Sequence, residues 1–308
     1  MRGFNLDPLQ TFADVVRLGS FSAAAARLNL TQPAVSLQVK QLEQKLGLRL
    51  IERTGRRVTP TAAGRALLQQ AAGIDAAVQG ALEAVAQHGR GVTGRVRIGI
   101  GATACIHLLP PSLSDLRRRF PLLDLTVNTG NTPEILRAVE ANDLDLAVVT
   151  LPPAGAGARS LGRAFEVTPL LIDEFVAIAP KNHPGLRLPD PATPAALAGL
   201  PLIIPEPGGN TRGLIDAWFG AAGLVPKPGM ELDSVEAIKQ LVGAGLGCSV
   251  LPGMALSTPE ARRGLALRAL RPKLSRQLAL VLRRDKALSR GLRETLASLR
   301  RLAAKRRP

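Results

Sequence analysis

The sequence predicts a multidomain α plus α/β protein: a small helical unit with a β-hairpin, one long connecting helix, and an α/β domain made of two halves. Three patterns predict this organisation. Two short helical segments flank a polar break between Ser20 and Glu43, residues 62–88 are rich in alanine and contain no proline, and residues 95–282 alternate between apolar strands and helices. With 308 residues, the chain is long enough to bury more than one core.

The first two helices are predicted from apolar spacing and from the residues at their ends. Residues 7–17 repeat apolar side chains at helical spacing, and Gly19 is expected to end this helix. Ser20 or Ser22 is expected to cap the second helix, because a serine hydroxyl accepts a hydrogen bond from a free N–H of the first turn. The four alanines at 23–26 allow another helix to approach closely.

The third helix is the candidate recognition helix of a helix-turn-helix. Thr31 is expected to cap it, and Pro33 falls in the first turn, where the missing N–H of proline costs nothing. Four of its positions are expected to be exposed and to meet base edges and phosphates: Thr31, Gln32, Ser36 and Lys40. A helical hairpin in an ordinary bundle has a similar pattern, so this stretch alone leaves both interpretations open.

A short basic hairpin is predicted directly after these helices. Residues 48–53 and 57–59 are interpreted as two strands around a turn that contains Gly55. A hairpin beside a recognition helix is a wing, and its three arginines are placed to reach the DNA backbone or the minor groove: Arg53, Arg56 and Arg57. Residues 1–60 are therefore predicted to form a winged helix-turn-helix DNA-binding domain.

The net charge of +16 is unevenly distributed along the chain. Residues 1–60 contain nine Lys and Arg against four Asp and Glu, residues 61–270 contain eighteen of each, and residues 271–308 contain thirteen against two. The basic N-terminal block fits a surface that faces phosphates. The basic C-terminal segment is interpreted as an amphipathic helix with a solvated charged face, and a nucleic-acid contact is the weaker alternative.

A long helix is predicted over residues 62–88, within a linker at 61–90. Its apolar positions form a narrow seam: Ala66, Leu67, Ile74, Ala77, Val78, Leu82 and Val85. A helix of this length with so narrow a seam is not expected to be stable alone, so we expect it to pair with a second copy of the chain. The glycine-rich break at residues 89–94 is the predicted domain boundary.

The remainder, residues 91–308, is predicted to be an α/β domain with two halves. The first half takes residues 94–165 and 271–308, and the second takes 166–270. The apolar strands and intervening helices predict a parallel sheet covered by helices, with one helix over 106–119 and separate strands at 170–172 and 175–179. Two α/β halves of similar size imply a cleft between them.

With all three parts considered together, the chain resembles the LysR-type transcriptional regulators over essentially its whole length. The most specific part is the segment from Phe21 to Gly64, FSAAAARLNLTQPAVSLQVKQLEQKLGLRLIERTGRRVTPTAAG. The resemblance implies a winged helix-turn-helix reader, a dimerising linker helix, and an effector-binding domain like periplasmic binding proteins. It also implies that two dimers form a homotetramer that bends promoter DNA, with RNA polymerase as a candidate partner.

The resemblance assigns roles to single residues of the DNA-binding domain. Gln32, Pro33 and Ser36 match recognition-helix residues of the family, and Arg53 matches its wing arginine. Leu37 departs from the pattern, since many relatives have a longer polar or basic residue there. Because leucine cannot donate to guanine O6 or N7, Leu37 is expected at most to contact a thymine methyl group.

Effector-binding residues are expected where predicted strands end and helices begin. In open α/β sheets, ligands bind beyond the carboxyl ends of strands, where helix N-termini present free N–H groups. The candidates match cleft positions of the family: Ala102, Thr103, Ala104, Asn131, Thr132, Asn210, Thr211 and Arg212. Helix dipoles, hydroxyl groups and the charge of Arg212 favour a small carboxylate or phosphorylated metabolite. The alternative is that the threonines only cap helices.

Two other functions compete with a regulator. Residues 99–104 have the G-x-G-x-x-A spacing of a dinucleotide-binding oxidoreductase, but the next strand ends in Asn128, Thr129 and Gly130 instead of the acidic residue that binds the ribose. A solute-binding protein without DNA function would explain the cleft but not the first ninety residues. The chain is therefore predicted not to be an enzyme and to need no cofactor.

The histidines and cysteines give little indication of catalysis or metal binding. His88, His107 and His183 are scattered without a nearby nucleophile, and no histidine or cysteine spacing indicates a metal site. Cys105 lies near a predicted helix N-terminus, where a lowered pKa would make it a redox sensor, with Cys248 as its only possible partner. No apolar run predicts a membrane span or signal peptide, so the protein is expected to be cytoplasmic.

Overall fold

The computed structural model of the chain describes residues 5–54, 57–86, 92–152, 162 and 164–304. The chain divides into two compact units, Met1–Ala84 and Val85–Pro308. Among the described residues, no helix is both long and apolar enough to cross a membrane.

The N-terminal unit contains three short helices, a hairpin and a long helix. Its elements are α1 (Asp7–Leu18), α2 (Phe21–Leu28), α3 (Gln32–Leu46), β1 (Ile51–Thr54), β2 (Arg57–Pro60) and α4 (Ala62–Ala86). The predicted caps are present: Ser20 Oγ accepts from the N–H of Ala23 at 3.3 Å, and Thr31 Oγ1 accepts from the N–H of Ala34 at 3.4 Å. Gly19 ends α1 with a left-handed φ of 61°, which glycine adopts without strain.

The core of this unit holds α3 and the hairpin in a fixed relation. Phe12 and Val15 of α1 are fully buried together with Val35 of α3. The carboxylate of Glu43 at the end of α3 accepts hydrogen bonds from the N–H groups of Leu50, at 2.7 Å, and Ile51, at 3.2 Å. A charged acceptor on two backbone donors is a strong bond, so the start of the wing is tied to the recognition helix.

The start of α4 also packs on this unit. Gly64 lies so close to the backbone of Leu50 that an added Cβ would stand 2.1 Å from the Leu50 carbonyl oxygen. Leu67 and Ile74, which the sequence assigns to the pairing seam, are half-buried against the core of their own unit. The seam left for a second copy is therefore narrower than expected. The side chains of Leu82 and Val85 lie outside the described part.

The C-terminal unit alternates strands and helices. Its elements are β3 (Gly94–Ile100), α5 (Ala102–His107), α6 (Leu109–Arg119), β4 (Leu123–Thr129), α7 (Thr132–Glu140), β5 (Leu146–Thr150), β6 (Phe165–Pro180), α8 (Pro194–Ala198), β7 (Leu202–Pro205), α9 (Asn210–Gly220), β8 (Pro228–Leu232), α10 (Val235–Gly243), β9 (Ser249–Pro252), two 3₁₀ turns (Gly253–Leu256 and Glu260–Arg262), β10 (Leu265–Ala269), β11 (Ser275–Arg283) and α11 (Arg290–Ala304).

Two sheets share β6. The first-half strands have the order β4-β3-β5-β11-β6. In the second half, β6 pairs with β9 and β10, and β7 and β8 form a separate two-stranded sheet that a single bridge between Leu202 and Cys248, the residue before β9, connects to these strands. β3 is parallel to β4 and β5 as predicted, whereas β11 runs antiparallel to both of its neighbours. The sheets are therefore mixed. Residues of β6 up to Glu174 pair with β11, and those from Phe175 onward pair with β9.

Two predicted elements are wrong. The helix predicted over 106–119 is two helices, because Pro110 and Pro111 have no N–H with which to continue α5. The strands predicted at 170–172 and 175–179 are one strand, β6, because the acidic residue between them, Asp173, is buried by partners from distant parts of the chain. The first error overlooks a local signal, the two prolines, whereas the second comes from partners that are distant in the sequence.

The basic C-terminal helix has the predicted amphipathic form. On one face Leu292, Leu296 and Leu299 are buried in the core of the first half. Ser298 also exchanges a buried hydrogen bond of 2.7 Å with Ser112 of α6. On the outer face, Arg301 lies 3.7 Å from a carboxylate of α6. The helix is thus a packed part of the domain with charges on its solvent side.

Gly64→Ala is expected to destabilise the N-terminal unit by about 1–3 kcal/mol, because the new methyl group would clash with the carbonyl group of Leu50 and force the backbone to move. Gly73→Ala is the matched control, because nothing lies within 4 Å of its added Cβ and alanine is the better helix former. Thermal unfolding followed by far-UV circular dichroism checks this. Equal midpoints for both variants would contradict the packing of α4 on Leu50.

Candidate functional site

The outward side of α3 presents the residues predicted to meet DNA. Thr31, Gln32, Pro33, Leu37 and Lys40 are exposed, and Ser36 is half-buried. The opposite side of the helix is formed by Val35, Val39 and Leu42, which are buried in the core of the unit. The helix therefore has one anchored side and one free side that carries all six predicted positions.

The backbone of β1 and β2 is described, but the side chains of residues 53–57 are not. β1 and β2 form the predicted antiparallel hairpin, with Arg53 opposite Val58 and Thr54 opposite Arg57. The side chains of Arg53 and Arg57, and the whole of Arg56, lie outside the described residues. Their assignment to DNA stays a prediction.

A cavity of about 460 Å³ lies between the two halves of the C-terminal unit. It opens beyond the carboxyl ends of β3, β4 and β5 and beside the first turns of four helices, α5, α7, α9 and α10. All eight predicted effector residues line it: Ala102, Thr103, Ala104, Asn131, Thr132, Asn210, Thr211 and Arg212. The structure thus brings together three segments that are far apart in the sequence.

The four helices that begin at the cavity are capped in two different ways. Asn131 caps α7 by accepting from the N–H of Glu134 at 3.0 Å, and Ser234 caps α10 in the same manner. α5 and α9 instead follow Gly101 and Gly209, which have no side chain with which to cap. The first N–H groups of a helix have no acceptor within the helix, so these two starts leave donors for a bound group.

The cap interpretation therefore applies to Asn131 and not to Thr132 or Thr211. Thr132 Oγ1 donates to the carbonyl oxygen of Thr150 at 3.3 Å, and Thr211 Oγ1 accepts from Nη1 of Arg276 at 3.4 Å. Neither hydroxyl caps the helix to which it belongs. Both are positioned by contacts with other strands.

Two polar contacts join the halves across the cavity. Asn210 Nδ2 at the start of α9 donates to the carbonyl oxygen of Thr150 at 2.8 Å. His107 Nε2 at the end of α5 lies 3.0 Å from Glu236 Oε1 on α10, and the other oxygen of Glu236 lies 2.7 Å from Nζ of Lys239. Burial disfavours the charged carboxylate, but the bonds from Lys239 and His107 outweigh this, and the pKa of Glu236 is lowered.

Arg212 does not supply the free positive charge expected from the sequence. Its guanidinium donates to Asp216 at 2.8 Å, to Glu231 at 2.6 Å and to the carbonyl oxygen of Pro205 at 2.7 Å. Burial alone would lower the pKa of Arg212, but the two carboxylates raise it. Both carboxylates already neutralise this residue, so its contribution is to hold the start of α9 against β7 and β8.

Arg276 lines the same cavity and was not predicted from the sequence. It belongs to β11, and only 4% of its side chain is exposed. Nε donates to Oδ2 of Asp173 at 2.9 Å, and burial lowers the pKa of Arg276 against the opposing effect of that carboxylate. Within the described part of the chain, its Nη2 has no hydrogen-bond partner. Nη2 nevertheless lies 2.9 Å from the same Asp173 oxygen, so its charge is paired.

The net charge around the cavity does not by itself favour an anion. Four carboxylates are among its lining residues: Glu134, Glu206, Asp233 and Glu236. The two lining arginines are both paired with further carboxylates. Attraction for a negative group therefore rests on local donors, which are the N–H groups at the starts of α5 and α9 and the end of Arg276.

Other chemistry suggested by the sequence is corrected or explained. Burial raises the pKa of the Cys105 thiol and raises that of Cys248 to about 11, which is opposite to what a redox sensor needs. Gly99 of the G-x-G-x-x-A stretch is required by packing, because a Cβ there would stand 2.7 Å from Ile135 of α7. The described residues contain no cluster of three or more potential metal ligands.

Two family models match the chain and together cover both units. The model of the LysR substrate binding domain matches residues 89–304, and that of the bacterial regulatory helix-turn-helix protein of the lysR family matches residues 6–65. The chain belongs to the LysR family. Members of this family are DNA-binding transcriptional regulators with an effector-binding domain and are not enzymes, so neither the oxidoreductase nor the solute-binding alternative is favoured.

Similar proteins cover nearly the whole chain. The RuBisCO operon transcriptional regulator of Allochromatium vinosum is 32% identical over 289 residues, which is 92% of each chain. The regulator CbbR of Xanthobacter flavus is 35% identical over 251 residues, covering 80% of this chain and 72% of that one. A full-length OxyR variant from Pseudomonas aeruginosa has the same LysR fold, with a TM-score of 0.72 at 24% identity over 97% and 96% of the two chains.

Replacing Glu236 by Gln should make the stability of the C-terminal unit less dependent on pH. Because the folded pKa of Glu236 is lowered, its charge stabilises the fold above the unfolded pKa of about 4.3, and this contribution is lost as pH falls through the lower folded value. The melting midpoint of wild type should therefore be higher than that of Glu236→Gln at pH 7, and the two midpoints should become similar below a pH of about 4.

The fluorescence of Trp218, the single tryptophan of the chain, reports this transition because it is buried in the second half. Glu260→Gln is the control, since Glu260 is an exposed residue away from the cavity. If the difference in melting midpoint between wild type and Glu236→Gln stayed constant from pH 7 to the acid range, this would argue against the contact across the cleft.

Proposed function

We propose that this LysR-family regulator reads promoter DNA with the outward side of α3 and that a small anionic metabolite in the cleft of the C-terminal unit switches this binding. The observation that carries the proposal is the cavity of about 460 Å³, which brings the eight predicted residues together at the starts of α5, α7 and α9. A regulator needs one surface for DNA and a separate site for a signal, and each unit offers one.

The exposed polar side chains of α3 support direct contact with bases. Gln32 lies at the first position of the helix, where a side chain of a recognition helix enters the major groove. An amide can bond adenine at N6 and N7 with two hydrogen bonds, whereas Leu37, which is 56% exposed, offers only an apolar contact such as a thymine methyl. Lys40, one helical turn after Leu37, is suited to contact a phosphate of the DNA backbone.

The contacts between the halves suggest how the cleft could act as a switch. Asn210 and Thr150, and His107 and Glu236, each place one partner on either side of the cavity. A metabolite that bonds both sides favours the arrangement of the halves in which it is best held, and this shifts the population between two states. The switch works only if the two states bind the metabolite with unequal affinity.

Assembly follows from the linker helix in this proposal. Pairing of α4 with α4 of a second copy would give a homodimer whose recognition helices lie one turn of DNA apart, roughly 34–36 Å. Two dimers would form a homotetramer that bends the promoter, with RNA polymerase as a candidate partner. A cytoplasmic location is proposed because the promoter is there.

Gln32→Ala should lower discrimination between the operator and unrelated DNA by about 1–3 kcal/mol, since a base contact is lost. Lys40→Ala should instead weaken binding to all sequences and reduce the salt dependence by about one phosphate contact. Footprint titrations at several salt concentrations separate these effects. Gln10→Ala, on the exposed side of α1, is the matched control. Unchanged affinity and specificity in Gln32→Ala would refute the assignment of α3.

Thr132→Ala and Thr211→Val should abolish the metabolite response and leave operator binding intact, because both hydroxyl groups line the cavity. Carboxylate and phosphorylated metabolites can be screened by their effect on the melting midpoint of the full-length protein, which a ligand of the native state raises. The variants are then compared with wild type using the compounds that bind. Loss of operator binding in both variants would indicate a structural role for these threonines instead.

A further inference from the structure

We propose that the solvent side of α11 and the end of α6 bind the phosphate backbone of double-stranded DNA, in addition to the helix-turn-helix of the N-terminal unit. The sequence left two interpretations of the basic C-terminal segment, a solvated helix face and a nucleic-acid contact. The placement of its charges in the structure favours the second. We call this surface the C-terminal basic face, and it consists of Arg118, Arg119, Arg290, Arg293, Arg300 and Arg301.

The arginines of α11 share its solvent side. All of them are exposed and recur at helical spacing: Arg290, Arg293, Arg300 and Arg301. The opposite side of the helix is the leucine face that is buried in the core of the first half. At a rise of about 1.5 Å per residue, the distance along the helix from the first arginine to the last is roughly 16 Å. The arginines of α11 therefore form one basic stripe.

The end of α6 lies beside this stripe and extends it. Arg119 Nη2 lies 3.3 Å from Oε2 of Glu294 on α11, and Arg301 Nη2 lies 3.7 Å from Oδ2 of Asp115 on α6. Arg118 pairs with the same Asp115 at 3.0 Å, and 80% of its side chain is exposed. Contacts in both directions between the two helices thus make their arginines one contiguous surface.

The carboxylates on this face are too few to neutralise it. Asp115 lies 3.0–3.7 Å from three guanidinium groups, and Glu294 contacts one of the same three. Within the part of the chain that the structure describes, the other three have no ion pair with a carboxylate: Arg290, Arg293 and Arg300. Arg293 donates to the carbonyl oxygen of Leu288, a neutral acceptor that leaves its charge uncompensated. Six arginines against two carboxylates leave a net charge of +4 on the face.

An excess of one charge sign is what a contact with a polyanion requires. Solvated surfaces normally intersperse both signs, since like charges repel one another. Double-stranded DNA carries about one negative charge per 1.7 Å of its axis, so a stripe of roughly 16 Å can meet several phosphates and release their condensed counterions.

DNA is also the polyanion that regulators of the LysR family bind. Phosphate contacts carry no sequence information. The face is therefore expected to bind DNA of any sequence, and the proposal depends neither on the assignment of single residues of α3 nor on the effector cleft.

A long duplex of random sequence and the full-length protein test this inference. The slope of log affinity against log salt counts the neutralised phosphates, each of which contributes about 0.9. The triple variant Arg290→Gln, Arg293→Gln, Arg300→Gln should make this slope shallower by about 2–3 per chain, because three phosphate contacts are lost. Three exposed arginines outside α6 and α11 give a charge-matched control, which should keep the wild-type slope: Arg187→Gln, Arg263→Gln and Arg271→Gln combined.

A lysine variant separates charge from packing. Arg290→Lys, Arg293→Lys and Arg300→Lys combined keeps the charges and should retain the wild-type slope, since a lysine ammonium also binds phosphate. All three variants should melt as wild type does, because the substituted side chains are exposed. Equal slopes in wild type and the triple Gln variant would overturn the inference, as would an equal loss of slope in the charge-matched control or the lysine variant. If the Gln variant kept its slope on DNA but lost binding to phosphatidylglycerol vesicles, the face would belong to an anionic membrane instead.

Discussion

The ion pair between Asp173 and Arg276 lies at the point on which the C-terminal unit depends. The two residues face each other on β6 and β11, where β6 leaves the first-half sheet and continues into the second. Removing one partner of a buried pair costs about 3–5 kcal/mol, because the other charge is left without compensation. The pair therefore stabilises the point at which β6 passes from β11 to β9.

The residues of this junction also contact residues near the cavity. Asp173 also accepts the N–H of Met254, and Arg276 reaches Thr211 at the start of α9. Groups that hold the junction are therefore one contact away from groups that line the cleft. A ligand bound in the cavity would lie beside Thr211 and Arg276, which both line it.

In the N-terminal unit, two contacts that join α3, the hairpin and α4 connect residues that are close in the sequence. Glu43 ties α3 to the hairpin, and Gly64 lets α4 lie against the backbone of Leu50. These contacts span seven to fourteen residues, and for that reason the helix boundaries and the Ser20 and Thr31 caps were predictable from the sequence. The alternation of the α/β domain also predicted where its strands would end, and hence the segments that line the cavity.

Features that depend on distant partners were not predictable. Arg212 was expected to carry a free charge, but Asp216, four positions further along α9, and Glu231, nineteen positions away, both neutralise it, and only Asp216 could be recognised from helical spacing. Asp173 resembled a break between strands because Arg276 lies 103 positions further on. The position of Cys105 near a helix start suggested a lowered pKa, but burial against the first-half core raises it. In each case a polar side chain was judged without the neighbours that determine its state.

The central claim is that the cleft and the DNA-reading surface are coupled, and linkage gives its most direct test. Affinity of a cleft-binding metabolite is measured for the free protein and for the protein saturated with operator DNA, and operator affinity is measured with and without the metabolite. Coupling requires the two ratios to be equal and different from one, because the free energy is reciprocal. Metabolite affinity that is the same in the free and the operator-bound protein would contradict the account.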